Sequence, residues 1–247
     1  MRALRELIFV EFKLFFREPI AVFFTILFPF IPLLLFGTIF GKQPAMPGFR
    51  VIDLYVPALM AMVVGYLGLM GIPIAISEYR EQGVLKRYSV SPMSPGKFVF
   101  AHVIVQFTLL AAVSVLIAAV AELVFDIRFA GSLALFALGI IISSVSLFTL
   151  GFLVVKICRT TRTTQAVGST IFFIMLFLSG AAIPRILFPE WLQQVTNYVP
   201  LTHVVNTLTG LWVGQSLNEQ LASVIVLLGI TVAAYLLIRQ NFGWRES

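Results

Sequence analysis

Long apolar runs alternate with short charged stretches along this chain. Six of the runs reach the length of about 20 mostly apolar residues that crossing a bilayer takes: Ile20–Phe40, Leu54–Ile76, Phe98–Ala121, Phe129–Val155, Ala166–Ile183 and Leu221–Ile238. Prolines interrupt the first at Pro29 and Pro32 and the second at Pro57 and Pro73. Inside a membrane such breaks are tolerated where neighbouring helices satisfy the freed carbonyls. The pattern predicts an all-α, polytopic membrane protein with six transmembrane helices.

Three further segments show helical periodicity without the length to span. Over residues 1–18, Leu4, Leu7, Ile8, Phe12, Phe15 and Phe16 form an apolar stripe among basic residues, interrupted by Glu11. Such a helix suits the headgroup plane, and Pro19 opposes its running on into the first span. After the second run comes ISEYREQGVLKRYSVSP, residues 76–92. Here Tyr79, Val84, Leu85 and Tyr88 give a patchy apolar side, and Glu78, Arg80, Glu81, Lys86 and Arg87 the charged surface. Acids come first and bases last, which complements a helix dipole, and Pro92 and Pro95 end the segment. The expectation is a short amphipathic helix over 77–90. Between the last two runs, residues 184–215 place Pro189 and Pro200 where each suits the first turn of a short helix. Trp191, Leu192, Val195 and Tyr198 share one side of the first; Val204, Val205, Leu208 and Trp212 suit one side of the second. These predict short re-entrant or interfacial helices before the last span.

Charge orients the runs. Arg2, Arg5, Lys13 and Arg17 precede the first; Arg80, Lys86, Arg87 and Lys97 follow the second; Lys156, Arg159 and Arg162 follow the fourth; Arg239 and Arg245 end the chain. The other side carries only Lys42, Arg50, Arg128 and Arg185. The positive-inside rule then puts both termini and the 77–90 segment in the cytoplasm. It also accounts for the net charge of +6 without any nucleic-acid partner. Hydrophobic residues make up 60% and charged ones 11%, against about a quarter charged in a soluble domain, and mean hydropathy is +1.01. Disorder is excluded. The first run is long for a signal peptide and no A-x-A-like site follows it, so it reads as a retained span. Cys158 alone cannot form an intrachain disulfide, and two histidines, His102 and His203, leave a metal cluster short of ligands.

The chain carries no legible energy source. Its runs hold almost no ionisable groups, where ion-coupled carriers keep some; Asp53 and Lys97 sit at run edges. His102, little more than a turn inside the third run, reads as an interfacial or helix-packing histidine rather than a proton relay. The nearest approach to a P-loop, Gly37–Gln43, has the wrong glycine spacing and lies on the non-cytoplasmic side. Motifs for intramembrane catalysis are absent from the sequence, so the chain is not expected to be an enzyme or to bind a cofactor itself. The 77–90 segment is different. A loop that only sets topology needs bases, whereas this one adds acids and aromatics, the mixture that suits docking to a cytosolic protein.

Glu78, Arg80, Glu81, Gly83, Leu85, Lys86 and Arg87, followed by Ser91, Pro92, Ser94 and Pro95, resemble the E-x-R-E-x-G-x-L-K-R and S-P-x-S-P pattern of the coupling helix in permease subunits of type-2 ATP-binding cassette exporters. The amphipathic start is similar to that family's connecting helix. The stretch LSGAAIPRILFPEWLQQVTNYVPLTHVVNTLTGLWVG is similar to its extracellular motifs, with Phe188 in place of a leucine and Val199 in place of an asparagine. The resemblance covers nearly the whole chain, as one permease domain over 1–247, and lies nearest the antibiotic-resistance branch. It implies a half-transporter of the bacterial inner membrane, paired with a second permease chain, identical or similar. Two cytosolic ATPases, which bind ATP and magnesium, would dock on Glu78, Tyr79, Arg80, Glu81, Gly83, Leu85, Lys86 and Arg87.

Small residues at Ala61, Gly65, Gly68 and Gly71 allow close helix approach, either to the second protomer or within the chain. Apolar walls with hydroxyls at Ser143, Ser144, Ser146, Thr149, Ser169 and Thr170 suit a hydrophobic or amphipathic cargo, drug-like or lipidic. The 24 phenylalanines keep polysaccharide or glycolipid export as the alternative. From another class, a passive channel or a scaffold recruiting a soluble partner fits the docking segment. The polar ring that a channel needs is not legible.

Overall fold

The computed structural model describes residues 2–84, 95–183, 185 and 188–239. The first helix, α1 (Arg2–Arg17), stops at Glu18, whose backbone leaves the helical region before Pro19; the residue before a proline is pushed out of it by the ring. Pro19 then opens α2 (Pro19–Phe40). A short hairpin of Pro44–Met46 and Phe49–Arg50 follows, turned at Gly48 with φ +83°. The remaining helices are α3 (Val51–Glu81), α4 (Pro95–Phe125), α5 (Leu133–Ile157), α6 (Thr161–Leu178), α7 (Glu190–Thr196), α8 (Pro200–Trp212) and α9 (Leu221–Arg239).

The all-α, polytopic expectation holds, apart from the hairpin. Among the described residues five helices, α2, α3, α4, α5 and α9, are long and apolar enough to cross a membrane. The segment expected as the fifth span is α6, which starts at Thr161 rather than Ala166 and ends at Leu178 rather than Ile183. Its polar first turns, TRTTQ, make it less apolar than the others. The α6 start is set locally: Thr160 accepts from the Thr163 N–H at 3.2 Å and its own N–H donates back to Thr163 Oγ1.

Helix α3 is the axis of the bundle. It packs on α2, α4, α5, α6 and α8, while α9 lies against α5 and α8 and α1 lies on α4. Its buried residues include Tyr55, Val56, Leu59, Met60, Val63, Val64, Leu67 and Leu69, on all sides of the helix. A helix apolar all round belongs inside a bundle. Two π-helical turns mark the proline-bearing helices, Phe23–Leu27 in α2 and Leu67–Gly71 in α3. Each contains the residue four before a proline, Thr25 before Pro29 and Leu69 before Pro73. Proline cannot donate to that carbonyl and its ring crowds it, so the helix widens there.

The freed region of α3 is covered by glycines. A Cβ on Gly151 of α5 would fall 2.0 Å from Gly68 O, and one on Gly168 of α6 would fall 2.4 Å from Leu69 O. Only glycine allows the Cα–H groups of α5 and α6 to lie against those carbonyls. Helix α8 is inserted among α3, α5, α6 and α9, with Leu201, Val204, Leu208 and Leu211 buried. The apolar side of α7 is turned the other way: Trp191, Val195 and Tyr198 are exposed.

Candidate functional site

The last turns of α3, Ser77 to Glu81, were expected to begin a separate short helix. They are instead continuous with the long helix from Val51. At about 1.5 Å per residue its 31 residues extend about 46 Å, well beyond a hydrocarbon core of about 30 Å. The chain then turns at Gln82 and Gly83, the latter with φ +68°, a left-handed conformation that favours glycine. Leu85, Lys86 and Arg87 lie outside the described residues.

Successive side chains at this end of α3 reach different neighbours. Ser77 Oγ lies 2.8 Å from Thr164 Oγ1 of α6, both buried. Tyr79 donates to the Glu11 carboxylate of α1, 3.0 Å from each oxygen. Arg80 donates to Val155 O at 3.0 Å and to Cys158 O at 2.6 Å, where α5 ends. Glu81 accepts from the Thr161 N–H at 2.8 Å, where α6 begins. A guanidinium on carbonyls at a helix C-terminus and a carboxylate on an N–H at a helix N-terminus both complement the helix dipoles. One short segment thus holds α1, α5 and α6. Glu78 is exposed and points elsewhere.

Glu11 is buried, 3% exposed, in the middle of the α1 stripe. Besides Tyr79 it holds His102, whose Nδ1 is 2.7 Å from Glu11 Oε2. A carboxylate only accepts, so Nδ1 donates, and Nε2 lies 3.0 Å from Gln106 Nε2. The Tyr79 ring meets Phe98 edge-on, with centroids 4.7 Å apart, in a small apolar cluster with Leu7 and Ala101. His102 is buried and tied to a carboxylate 91 positions away. The sequence contained the signal without the partner: Glu11 stands four residues after Leu7 on an apolar stripe, and His102 and Gln106 stand four apart in an apolar run.

The small residues of α3 face helices of this same chain. A Cβ on Gly65 would lie 3.1 Å from the Leu201 side chain of α8, one on Gly68 2.9 Å from the Leu147 backbone of α5, and one on Gly71 3.6 Å from the Gln106 amide of α4. Ala61 is fully buried.

The other end of the bundle is organised by Asp53, 1% exposed. Its carboxylate accepts from the Arg50 N–H at 2.7 Å, from the Arg50 side chain and from the Arg128 N–H at 2.9 Å. Arg128 O in turn accepts from Trp212 Nε1 at 3.0 Å, linking the α4–α5 loop to α8. Asp53→Ala is expected to destabilise the chain by about 2 kcal/mol or more, the scale of lost hydrogen bonds to a charged group. Thermal unfolding in detergent checks this.

Residues 2–213 match the profile of the ABC-2 type transporter family. Over 150 residues the chain is 30% identical to the "Probable multidrug ABC transporter permease YbhR" of Escherichia coli (strain K12), and to the same protein of Escherichia coli O157:H7. The aligned stretch covers 60% of this chain and 40% of those proteins.

Proposed function

The chain belongs to the ABC-2 type transporter family, and from that premise we propose that it is the membrane-spanning subunit of an ATP-driven exporter. Its cargo is hydrophobic or amphipathic, drug-like or lipidic, taken from the cytoplasm or the inner leaflet. ATP and magnesium are bound by a separate cytosolic ATPase, which docks on the segment that follows α3. Six helices, α6 included, span a bacterial inner membrane with both termini cytoplasmic; α1 lies in the headgroup plane, and α7 and α8 sit at the far side. A second permease chain completes the transporter.

The observation that carries this reading is the set of contacts made by Ser77, Tyr79, Arg80 and Glu81. A displacement of the segment beyond Glu81 is conveyed to α1, α5 and α6 together, which is what a docked motor requires of the part that it moves. The multidrug description of the Escherichia coli relative supports a drug-like cargo.

The test is purification of the tagged chain from its native membrane in mild detergent. An ATPase with a P-loop should co-purify in stoichiometric amount; its absence, where known complexes survive, moves the reading to a channel or scaffold. With the partner in hand, Glu81→Ala combined with Arg87→Ala should abolish export while membrane insertion persists. Normal export in that double variant would sink the docking assignment.

A further inference from the structure

Helix α1 presents two unlike sides. The apolar stripe legible in the sequence suits a bilayer, yet the structure turns its centre inward. Leu7 packs with Phe98 and Ala101 of α4, and Glu11 holds His102 and Tyr79. The opposite side carries Arg5, Phe9, Lys13 and Phe16, whose helical spacing puts them on one face. All four are exposed, Phe9 by 67% and Phe16 by 61%. Arg5 and Lys13 form no side-chain hydrogen bond or ion pair among the described residues. Arg17 flanks this face in the same state, and Glu6 is the acid at its edge.

Two observations set the depth of this face. Helices α3 and α4 have 31 residues each, so both overrun a hydrocarbon core of about 30 Å. The neighbours of α1 stand at the overrunning ends: Tyr79 lies two residues before the end of α3, and Phe98 three after the start of α4. That is headgroup depth. The chain also passes from Arg17 through Glu18 straight into α2, an apolar span with Ile20, Phe23, Leu27 and Ile31 exposed. The exposed rings of α1 are therefore followed in the chain by exposed apolar surface of a span. Rings interleaved with bases suit such a boundary, where the rings reach the acyl layer and the long basic stems reach back to phosphates.

We propose that this outer face of α1 binds anionic phospholipids of the surrounding leaflet, with Phe9 and Phe16 at the acyl boundary and Arg5, Lys13 and Arg17 on the headgroups. A zwitterionic leaflet serves the rings but brings no net charge to the bases. An acidic protein surface serves the bases but leaves the rings, and Ile20 and Phe23 after them, without an apolar partner. The inference rests on the placing of α1 in the headgroup plane and names the lipid charge that it takes there. Its test needs no ATPase, so the export reading and this one can fail separately.

The experiment uses the full chain in phosphatidylcholine nanodiscs, with Phe9→Cys carrying a bimane, a flat apolar fluorophore in place of the ring. The background is Cys158→Ala, which keeps the backbone carbonyl that Arg80 uses. Quenching is read with phosphatidylglycerol or phosphatidylcholine bearing a nitroxide near the top of one acyl chain, and with a charged, water-soluble nitroxide. Phosphatidylglycerol should half-quench at a mole fraction about tenfold lower than phosphatidylcholine, the scale of two or three bases at an anionic surface. Arg5→Gln combined with Lys13→Gln, at exposed positions that leave the packing alone, should bring the two lipids within about twofold of each other, since about 1 kcal/mol per base is removed. High salt should narrow the gap in the parent, and Glu6→Gln should widen it. Equal quenching by the two lipids in the parent overturns the proposal, as does a double variant that keeps the parent's preference. Quenching by the aqueous nitroxide alone puts the face in the cytosol, and quenching by none means that a second copy or another protein covers it; either result also overturns it.

Discussion

Gly151→Val is expected to remove most of the folded chain from the membrane. Its Cβ would stand 2.0 Å from Gly68 O and 3.1 Å from the Pro73 ring. These are backbone and ring atoms of the most deeply buried helix, so neither can swing aside as a flexible side chain would. Overpacking costs about 1–3 kcal/mol where side chains can adjust. Here α3 and α5 must part, which puts the cost at the upper end of that range or above it. A loss of about 3 kcal/mol corresponds to a fall of roughly 6–12 °C in unfolding midpoint for a chain of this size. Gly168→Val should behave alike, because its Cβ would meet Leu69 O at 2.4 Å. Gly229→Val is the control, with nothing within 4 Å of the added carbon. Thermal unfolding followed by size-exclusion chromatography reads all three. A Gly151→Val protein that melts with the parent would mean that α3 and α5 do not touch at this depth.

The second large effect is on transport. Arg80→Met keeps the apolar stem and removes the donors to Val155 O and Cys158 O. Hydrogen bonds to a charged group are worth about 1.5–3 kcal/mol, so stability falls by an amount that the bundle can withstand. Export should fall much further. On the proposed export function, the end of α5 no longer follows α3 without that guanidinium, and the proposed partner ATPase turns over with little cargo moved. ATP-driven uptake into inside-out vesicles, normalised to chain present and measured beside ATP hydrolysis, separates coupling from abundance. Arg80→Lys should recover part of the loss, since an ammonium carries the charge but lacks the fork that reaches two carbonyls. Full export with a lowered melting temperature would reduce Arg80 to a helix cap.

Much of this architecture was legible in the residues alone. Apolar length predicts α2, α3, α4, α5 and α9, Pro19 separates α1 from α2, and Pro189 and Pro200 stand at the starts of α7 and α8. These are local matters, settled by how many consecutive residues are apolar and by where a missing N–H forbids helix. The spacing of Ala61, Gly65, Gly68 and Gly71 likewise announced a close approach, without saying to what.

What the tertiary structure decided is which distant groups meet. Glu11 looked like a flaw in an apolar stripe until Tyr79 and His102 closed on it. Arg80 and Glu81 read as surface charges for a partner, yet both also bind the ends of helices within the chain. Gly151 and Gly168 carried no pattern, because their meaning lies in two carbonyls of α3 laid bare by a π-helical turn. A sequence determines helices through bonds four residues apart. Contacts across some 75 to 91 positions depend on how those helices pack, and packing is settled only when all of them are in place.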